Sequence, residues 1–348
     1  TRFRNVTGVQ TCALPISKCI IANMPQIVLP TKKNIRIAAQ QLIQGNLVVF
    51  PTETVYGLGA DALNQSAVLR IYETKQRPLT HPLIVHISKK EKIDYWANQI
   101  PNYVEIIANK FWPGPLTIIL QKNKNIPEFI TGGQNTIALR VPSNKIALKI
   151  LEEFSFLGGY GVVAPSANNF GAVSPTSAFA ALEELSPKMN VDNLIIDGGN
   201  CEIGIESTII ECTETRIKIL RPGFITREKL SSIVDIDIEN NPLNSSRAPG
   251  LFKYHYQPRA KIKISSESEA GDGFIALQKI ATPNGAIRLS EPKTVEEYAQ
   301  SLYKAFRLAD TLCLSRVSVV LAEGSEFAEA VNDRIRKAAG RSEEHTSE

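Results

Sequence analysis

The sequence predicts an α/β (α+β) protein with a mixed sheet, followed by a smaller second α/β domain. First, short apolar runs typical of buried strands are interspersed with helical apolar spacing, without a strict alternating repeat. Second, the chain has 348 residues, of which 43% are hydrophobic, which is enough for two cores. Third, periodicity is lost over residues 236–258, where Asn, Pro and Ser dominate, so this segment is predicted to be a linker.

The helices of the first domain are indicated by apolar residues three and four positions apart. The first predicted helix spans 34–45, with Asn34 as the candidate N-cap and Gly45 as the stop signal. A second covers 66–77 and ends at Pro78, because proline cannot continue a helix. Further helices are predicted, in chain order, at about 89–98, 103–111, 144–153 and 176–185.

The strands of the first domain are indicated by short apolar runs rich in Val, Ile and Leu, bounded by turn residues. In chain order they are "NLVVF" (46–50), "PLIVHI" (82–87), "LTIIL" (116–120), "TIALRV" (136–141), the start of "GVVAPSAN" (161–168), "NLIIDGG" (193–199), "STIIEC" (207–212) and "RIKILRPG" (216–223).

The second domain has its own short strands, "KIKI", "GFIAL", "GAIRL" and "VSVVL". Two helices are predicted at 294–309 and 326–339. This pattern predicts a flavodoxin-like or Rossmann-like domain. It lacks the GxGxxG fingerprint, so no dinucleotide is assigned to it.

The two ends of the chain are set aside from the fold prediction. With one choice of codons, the tail "RSEEHTSE" has a reverse complement that encodes "QTCALPI", the string found near the start. Such a relation is typical of a sequencing adapter read through into the reading frame. Residues 1–17 and 341–348 are therefore interpreted as adapter-derived, and we expect the natural C-terminus to be truncated.

The bulk composition favours a cytoplasmic protein with an anionic ligand. A net charge of +4 fits a nucleotide or a transient RNA contact without specifying either. The five cysteines contain no CxxC and no His/Cys cluster, which indicates a reducing compartment and no structural zinc or other metal site. No apolar run approaches the roughly 18 residues that a membrane-spanning helix needs.

Several strands and helices of the first domain end in polar residues that are costly to bury without a partner. In "FPTETVYGLGADA" (50–62), Thr52, Glu53 and Thr54 follow directly after a strand. Thr136 and Arg140 are four positions apart and so share one face of a strand. The candidate site residues are Thr52, Lys75, Arg77, His86, Thr136, Arg140, Ser166, Asn168, Ser174, Ser207 and Arg221.

Each candidate alone has a simpler structural alternative. Thr-Glu-Thr is typical of a capped turn, His86 of a core or edge histidine, and Arg140 of a partner for a carboxylate. Together, however, four cations (Lys75, Arg77, Arg140, Arg221) at element ends indicate an anion site. No Walker A motif and no GxSxG are present, so neither a P-loop nor acyl-enzyme chemistry is supported.

Taken together, these stretches resemble the threonylcarbamoyl-AMP synthases in their long, two-domain form. The resemblance covers residues 33 to 340, and "APGLFKYHYQP" (248–258) resembles the linker motif of that form, with Leu251 where the family usually has methionine. The remaining stretches are "FPTETVYGLGADA", "KQRPLTHPLIVHI", "FWPGPLTIIL", "TIALRVP", "APSANNFGAVSPT", "IIDGG", "GIESTII" and "LRPG".

The resemblance implies a YrdC-like twisted sheet with a positively charged cavity at 30–235, a linker or lid at 236–259 and a C-terminal domain at 260–340. The implied activity is that of a nucleotidyltransferase. It would make threonylcarbamoyl-AMP and pyrophosphate from L-threonine, bicarbonate and ATP, with Mg²⁺ carried on the ATP. The product serves threonylcarbamoyl-adenosine formation in tRNA, which implies a partner transferase complex and possible tRNA contact.

The resemblance also implies roles for individual residues. L-Threonine or its carbamate would be held by Thr52, His86, Arg140, the backbone at Ala164, and Ser207. The nucleotide would be held by Lys75, Arg77, Thr136, Ser166, Asn168, Ser174 and Arg221, and Tyr256 would close over it. Lys75, Arg77, Ser166 and Asn168 are the expected catalytic residues. Glu53 would orient Lys75 or Arg77, or only cap its turn.

Two alternatives from other function classes remain open at the level of sequence. A basic sheet could hold double-stranded RNA or tRNA through phosphates alone, although basic residues are not clustered in runs. A carbamoyl-transfer domain of the hydrogenase-maturation type would use a related fold. It would normally accompany zinc-finger and acylphosphatase-like modules, which this sequence lacks.

Overall fold

The structure is a computed structural model that describes residues 25–190, 192–240 and 255–340. Its first sheet has eleven strands in the order β1-β8-β2-β3-β7-β4-β6-β5-β9-β10-β11. The strands are β1 (Gln26–Val28), β2 (Val48–Phe50), β3 (Gly57–Asp61), β4 (Ile84–His86), β5 (Leu116–Gln121), β6 (Thr136–Arg140), β7 (Val162–Val163), β8 (Leu194–Ile196), β9 (Thr208–Cys212), β10 (Arg216–Arg221) and β11 (Asp237–Asn240). Parallel pairs such as β4–β6 and antiparallel pairs such as β5–β6 both occur, which confirms the predicted mixed sheet.

Helices with apolar faces accompany this sheet. They are α1 (Lys32–Ile43), α2 (Gln65–Lys75), α3 (Ile93–Trp96), α4 (Asn102–Phe111), α5 (Glu128–Thr131), α6 (Lys145–Phe156), α7 (Ala178–Leu185) and α8 (Arg227–Ser231), with short 3₁₀ turns at Lys90–Lys92 and Ser186–Lys188. Helices α1 and α6 bury Leu42 and Ile150 in one apolar cluster with Phe50 of β2. This packing fixes the strand whose carboxyl end begins the "PTET" segment.

The second sheet has four strands, β12 (Lys261–Ile264), β13 (Gly273–Ile275), β14 (Ile287–Ser290) and β15 (Arg316–Val319). All of their pairings are parallel, in the order β12-β15-β13-β14. Helices α9 (Val295–Thr311) and α10 (Ala328–Ala339) supply apolar side chains to the same core. The predicted smaller α/β domain is confirmed.

Some local predictions were wrong, each for an identifiable reason. Helix α1 begins after Thr31, not Asn34: the Thr31 hydroxyl caps the Asn34 amide, and Asn34 already lies in the first turn. The predicted helix at 89–98 divides into a 3₁₀ turn and α3. Residues 237–240 of the predicted linker form β11, which extends the sheet beside β10. The remaining linker up to 254 and the ends at 1–17 and 341–348 lie outside the described residues.

Strand β3 was not predicted, because two of its five residues are glycines. Its Gly59 lies opposite Val48 of β2, and a Cβ atom there would approach the Phe50 ring to 2.6 Å. The missing side chain lets β3 pair closely with β2 over a buried aromatic ring. Glycine is therefore required for packing here, although its β-propensity is low.

Candidate active site

A cavity opens where the central strands of the first sheet end. Strands β4 and β6 are parallel and place His86 directly opposite Arg140, so both side chains reach the same edge of the sheet. Segments after β2 and β7 and before β9 complete the wall together with His255 and Tyr256, which lie just before the second domain. The lining residues are Thr52, Thr54, Val55, Gly57, Arg77, Ile84, His86, Arg140, Ala164, Pro165, Ser166, Glu206, Ser207, Arg221, His255 and Tyr256.

The "PTET" segment forms a tight turn organised by one hydroxyl. Thr52 Oγ1 donates to the Val55 carbonyl at 2.7 Å and accepts from the Thr54 and Val55 amides at 3.2 Å. Leu58 then donates its amide to the Pro165 carbonyl, which joins this segment to the "APSAN" turn. The turn thereby brings the Thr52 and Thr54 side chains to the cavity wall.

Glu53 forms a buried ion pair with Arg140. Arg140 Nη2 lies 2.7 Å from Glu53 Oε1, and these side chains are only 5% and 2% exposed. Arg140 also donates to Thr54 Oγ1 at 3.0 Å and to the Gly114 carbonyl at 3.3 Å. The expectation that Glu53 orients Lys75 or Arg77 is not met, because its carboxylate pairs with Arg140 at the end of β6. Glu53 instead holds the arginine assigned to threonine.

Arg221 and Ser207 form a second fixed unit of the wall. Arg221 Nε donates to the Ser207 carbonyl at 2.9 Å, and its Nη2 donates to Ser207 Oγ at 3.1 Å. Ser207 Oγ also lies 2.8 Å from Thr117 Oγ1 of β5. Burial lowers the pKa of Arg221, with Arg334 as a further positive neighbour. The neighbouring phenol and carboxylate groups of Tyr256 and Glu206 act in the opposite direction.

Arg77 is the third arginine of the cavity and keeps unused hydrogen-bonding capacity. Its Nη2 donates to the Pro82 carbonyl at 3.0 Å, whereas its buried Nε has no hydrogen-bond partner among the described residues. Burial lowers its pKa to about 10, so the guanidinium remains charged at neutral pH. A buried cation with a spare donor is suited to an anionic ligand.

Lys75 is fully buried beneath the cavity instead of lining it. Its Nζ donates to the carbonyls of Ser166 and Asn168, both at 2.5 Å. Burial, and then the nearby Arg77, hold the pKa of Lys75 well below its ordinary value. In this structure the lysine organises the turn that presents Ser166.

Three other predicted nucleotide residues also lie outside the cavity lining. Asn168 donates to the carbonyls of Asn169 and Ala172 and so shapes the same turn. Ser174 donates to Glu206 Oε1 at 2.6 Å. Thr136 is half-buried at the start of β6, at the end of the strand opposite Arg140. The other nine predicted site residues, including all five assigned to threonine, line the cavity.

Glu206 and His255 line the cavity but were not singled out from the sequence. Glu206 carries a charge inside the otherwise uncharged "GIESTII", and that contrast was an available signal. His255 precedes Tyr256 in the linker motif, and its ring centroid lies 4.1 Å from that of Tyr256. Burial lowers the pKa of His255 to about 3, which keeps it neutral at pH 7.

His86 is neutral and fully enclosed, and this makes stability depend on pH. Burial, with Arg140 nearby, lowers its pKa from 6.5 to about 3. Between pH 6.5 and pH 3 the His86 imidazole therefore binds a proton in the unfolded chain but stays neutral in the folded chain. The contribution of this difference to the free energy of unfolding is fully present above pH 6.5 and is lost as the pH falls towards 3.

We expect the free energy of unfolding of the wild type to fall about 2 kcal/mol more than that of His86→Gln between pH 7 and pH 5. Glutamine retains an amide but does not titrate. Urea unfolding at the two pH values measures the difference. Equal losses in both proteins would show that His86 is not held neutral by the fold.

No group of three or more His, Cys, Asp or Glu side chains that could hold a metal ion is found in the described part of the chain. The two carboxylates nearest the arginines, Glu53 and Glu206, are paired with Arg140 and Arg334. Across the same described segments, no helix is long and apolar enough to span a membrane.

Three buried arginines, two neutral histidines and several hydroxyls at the edge of a mixed sheet define a class of α/β protein that binds small anionic molecules. Comparisons with known proteins make this class specific. The Sua5/YciO/YrdC family model, described as "Telomere recombination", matches residues 40–223. A second model, "Threonylcarbamoyl-AMP synthase, C-terminal domain", matches residues 225–340. The chain belongs to the threonylcarbamoyl-AMP synthase family.

The similarity to relatives extends over both domains. The chain is 40% identical over 331 residues to the threonylcarbamoyl-AMP synthase of Pyrococcus abyssi, covering 88% of this chain and 94% of the relative. It is 33% identical over 328 residues to that of Bacillus subtilis, covering 87% and 92%. A crystal structure of P. abyssi Sua5 complexed with L-threonine matches with a TM-score of 0.80 and 36% identity, covering 91% of this chain and 97% of that one.

Proposed function

We propose that this chain makes threonylcarbamoyl-AMP and pyrophosphate from L-threonine, bicarbonate and ATP. The observation that carries the proposal is the convergence of Arg77, Arg140 and Arg221 on one cavity that also contains every residue assigned to threonine. The named relatives and the structural neighbour with bound L-threonine support the same substrate.

The chemistry explains why the cavity needs fixed cations. The threonine amine and bicarbonate condense to a carbamate: the new C–N bond forms, a C–O bond of bicarbonate breaks and water leaves. A carbamate oxygen then attacks the α-phosphorus of ATP. A new P–O bond forms while the bond to the β-phosphate oxygen breaks, and pyrophosphate leaves with that electron pair. Carbamate and triphosphate are both anions and repel each other. Arginines held in advance offset this repulsion and stabilise the leaving pyrophosphate.

The two halves of the cavity divide the substrates in this proposal. Thr52, His86, Arg140, the Ala164 backbone and Ser207 hold threonine, with Arg140 fixed by Glu53. Arg77, Arg221 and Ser166 hold the phosphates. Lys75 and Asn168 order the turn that presents Ser166, and Ser174 donates a hydrogen bond to Glu206. Thr136 remains assigned to the nucleotide. Mg²⁺ would arrive on ATP, because the arginine-paired carboxylates Glu53 and Glu206 offer no free ligand set.

Tyr256 is proposed to cover the nucleotide. It lines the cavity with a fully buried ring, and its hydroxyl has no hydrogen-bond partner in the described segments. A buried phenol without a partner costs free energy, so a ligand that accepts its hydrogen bond would recover that cost. Apart from 237–240, which form β11 of the first sheet, residues 236–259 are accordingly proposed as linker and lid between domains at 30–235 and 260–340.

We expect Tyr256→Ala to weaken ATP binding about tenfold, because a ring contact and a hydrogen bond worth about 1.4 kcal/mol together are lost. Threonine binding should change less. Isothermal titration with each substrate separates the two effects. Tyr160→Ala, which removes a half-exposed tyrosine outside the cavity, serves as the control. Equal losses for both substrates would contradict a lid above the nucleotide.

The place of the reaction in the cell follows from its product. Threonylcarbamoyl-AMP would supply threonylcarbamoyl-adenosine formation in tRNA, so we propose a cytoplasmic protein that passes the adenylate to a partner transferase complex. Direct contact with tRNA is proposed as transient, since the net charge is only +4.

The decisive experiment is pyrophosphate release from ATP by purified protein. We expect release only when threonine and bicarbonate are both present, with threonylcarbamoyl-AMP as the second product. Release without either substrate would contradict the proposal. Tight binding of duplex RNA without any pyrophosphate release would favour the RNA-binding alternative instead.

A further inference from the structure

One side chain of the second domain is buried against the cavity wall of the first. Arg334 lies on the inward face of α10 and is fully buried. Its Nε donates to Glu206 Oε2 at 2.9 Å, and its Nη1 donates to the Pro222 carbonyl at 3.0 Å. Its Nη2 donates to the Glu206 carbonyl at 3.3 Å. Arg334 therefore contacts both segments that carry Ser207 and Arg221.

Glu206 is the acidic member of a cavity that is otherwise cationic. Besides Arg334, it accepts hydrogen bonds from Ser174 Oγ at 2.6 Å and from Tyr303 of α9 at 3.0 Å. Burial alone would raise the pKa of Glu206, but Arg334 and Arg221 lower it to about 2. The carboxylate is therefore charged at any working pH.

A charged carboxylate in this position works against a triphosphate. Glu206 lines the same cavity as Arg77 and Arg221. An uncompensated negative charge on Glu206 would repel a phosphate and would attract the Arg221 guanidinium that is proposed to bind this phosphate. Only a cation held behind the carboxylate can cancel this effect without occupying the cavity. Arg334 has that location, and it also lies 5.5 Å from the centre of the Tyr256 ring.

We propose that Arg334 is a positioning residue for the reaction, contributed by the second domain, which neutralises Glu206 so that this carboxylate does not repel the ATP phosphates that Arg77 and Arg221 are proposed to bind. The inference rests on the proposed function for the identity of the anion. The proposed role of Arg334 gives the second domain a function in catalysis in addition to any contribution to stability. Buried ion pairs seldom add net stability over apolar side chains of similar size, so stability alone does not account for the pair.

The test compares four variants of the full chain by their dissociation constants for ATP with Mg²⁺ and by their KM values for ATP and threonine. Arg334→Met removes the cation and leaves the Glu206 carboxylate without this ion-pair partner. The double variant Arg334→Met/Glu206→Gln removes both charges at similar volume. Arg334→Lys keeps the charge. Arg307→Met is the matched control, because it also breaks an Arg–Glu pair between the domains, at 3.0 Å from Glu184, outside the cavity lining.

We expect Arg334→Met to weaken ATP binding about tenfold or more, equivalent to about 1.4 kcal/mol, with the threonine KM changed by less than about threefold. The double variant and Arg334→Lys should return to within about threefold of wild type, and Arg307→Met should match wild type. The inference would be overturned if the double variant bound ATP as weakly as Arg334→Met. The effect of Arg334 would then come from its hydrogen bonds to the Pro222 and Glu206 carbonyls and not from neutralising the Glu206 side chain.

Folding failure of Arg334→Met does not block the test. The double variant removes the charges of both Arg334 and Glu206, and Asp333, which Arg334 also contacts at 2.7 Å, keeps its ion pair with Lys337 at 2.9 Å. Weak ATP binding by the folded double variant therefore overturns the inference on its own. The two proposals also fail differently. Wild type without threonine-dependent pyrophosphate release contradicts the proposed function, even if the ATP dissociation constants shift as expected. Normal release with unshifted dissociation constants contradicts only the role of Arg334.

Discussion

Arg77→Ala should lower threonine-dependent pyrophosphate release about 100- to 1000-fold in kcat/KM, the loss typical of removing one donor that stabilises a developing anion. The guanidinium is buried and charged at neutral pH, and among the described residues its Nε has no hydrogen-bond partner, so we expect this donor to bind the phosphates. Water molecules would stabilise the developing charge less well than the guanidinium does, because their dipoles are not oriented towards it in advance.

The measurement is a coupled pyrophosphate assay over a range of ATP and threonine concentrations. Arg216→Ala is the control: it removes an arginine of the same sheet that pairs with Glu239 at the surface. We expect that control to retain wild-type turnover. Undiminished turnover in Arg77→Ala would show that the phosphates lie elsewhere and would contradict the assigned role.

Lys75→Ala should reduce turnover by a similar amount, on the order of 2–4 kcal/mol in the barrier, but by a different route. Its amino group donates to the Ser166 and Asn168 carbonyls beneath the cavity. We therefore expect a lower thermal midpoint for Lys75→Ala than for Arg77→Ala. Thermal unfolding followed by circular dichroism distinguishes the two, and equal midpoints would contradict the support role of Lys75.

Glu53→Ala should lower the free energy of unfolding by about 3–5 kcal/mol, because it leaves the buried Arg140 without its counter-charge. Both side chains are almost completely enclosed, so water cannot solvate the abandoned guanidinium. The remaining bonds from Arg140 go to a hydroxyl and a carbonyl, which are neutral. Threonine binding should weaken as well, since Arg140 is no longer fixed.

Urea unfolding at pH 7 measures this loss. Glu239→Ala is the matched control, because it breaks an arginine–glutamate pair whose side chains are 46% and 38% exposed. Exposed pairs contribute only about 0–1 kcal/mol, so the control should remain close to wild type. A loss in Glu53→Ala no larger than that of the control would contradict the structural importance of the pair.

The sequence predicted most of the site because its residues lie at the ends of recognisable strands. His86 and Arg140 end two apolar runs, and parallel pairing of those runs brings them together. The resemblance of the motifs to the threonylcarbamoyl-AMP synthases was confirmed by both family models and by the named relatives. The roles of individual residues remain predictions that the variants above address.

What the sequence did not predict depends on contacts between distant segments. Strand β3 was missed because Gly59 is explained only by the Phe50 ring that covers it. The sequence suggested Lys75 or Arg77 as the partner of Glu53, or a turn cap, whereas the fold pairs Glu53 with Arg140, 87 positions away. Local periodicity carries no information about such pairs.

The sequence by itself determined the fold class, the order of the elements and the family, since these depend on apolar spacing and on motifs that are local in the chain. The tertiary structure decided which charges are neutralised and which remain available to a ligand. Glu206 and Arg334 are 128 positions apart, in different domains, yet they meet at 2.9 Å. Their pairing depends on how the second domain packs against the first. Because of that packing, the one acidic side chain in the described lining of a cationic cavity has its charge compensated by an arginine of the second domain.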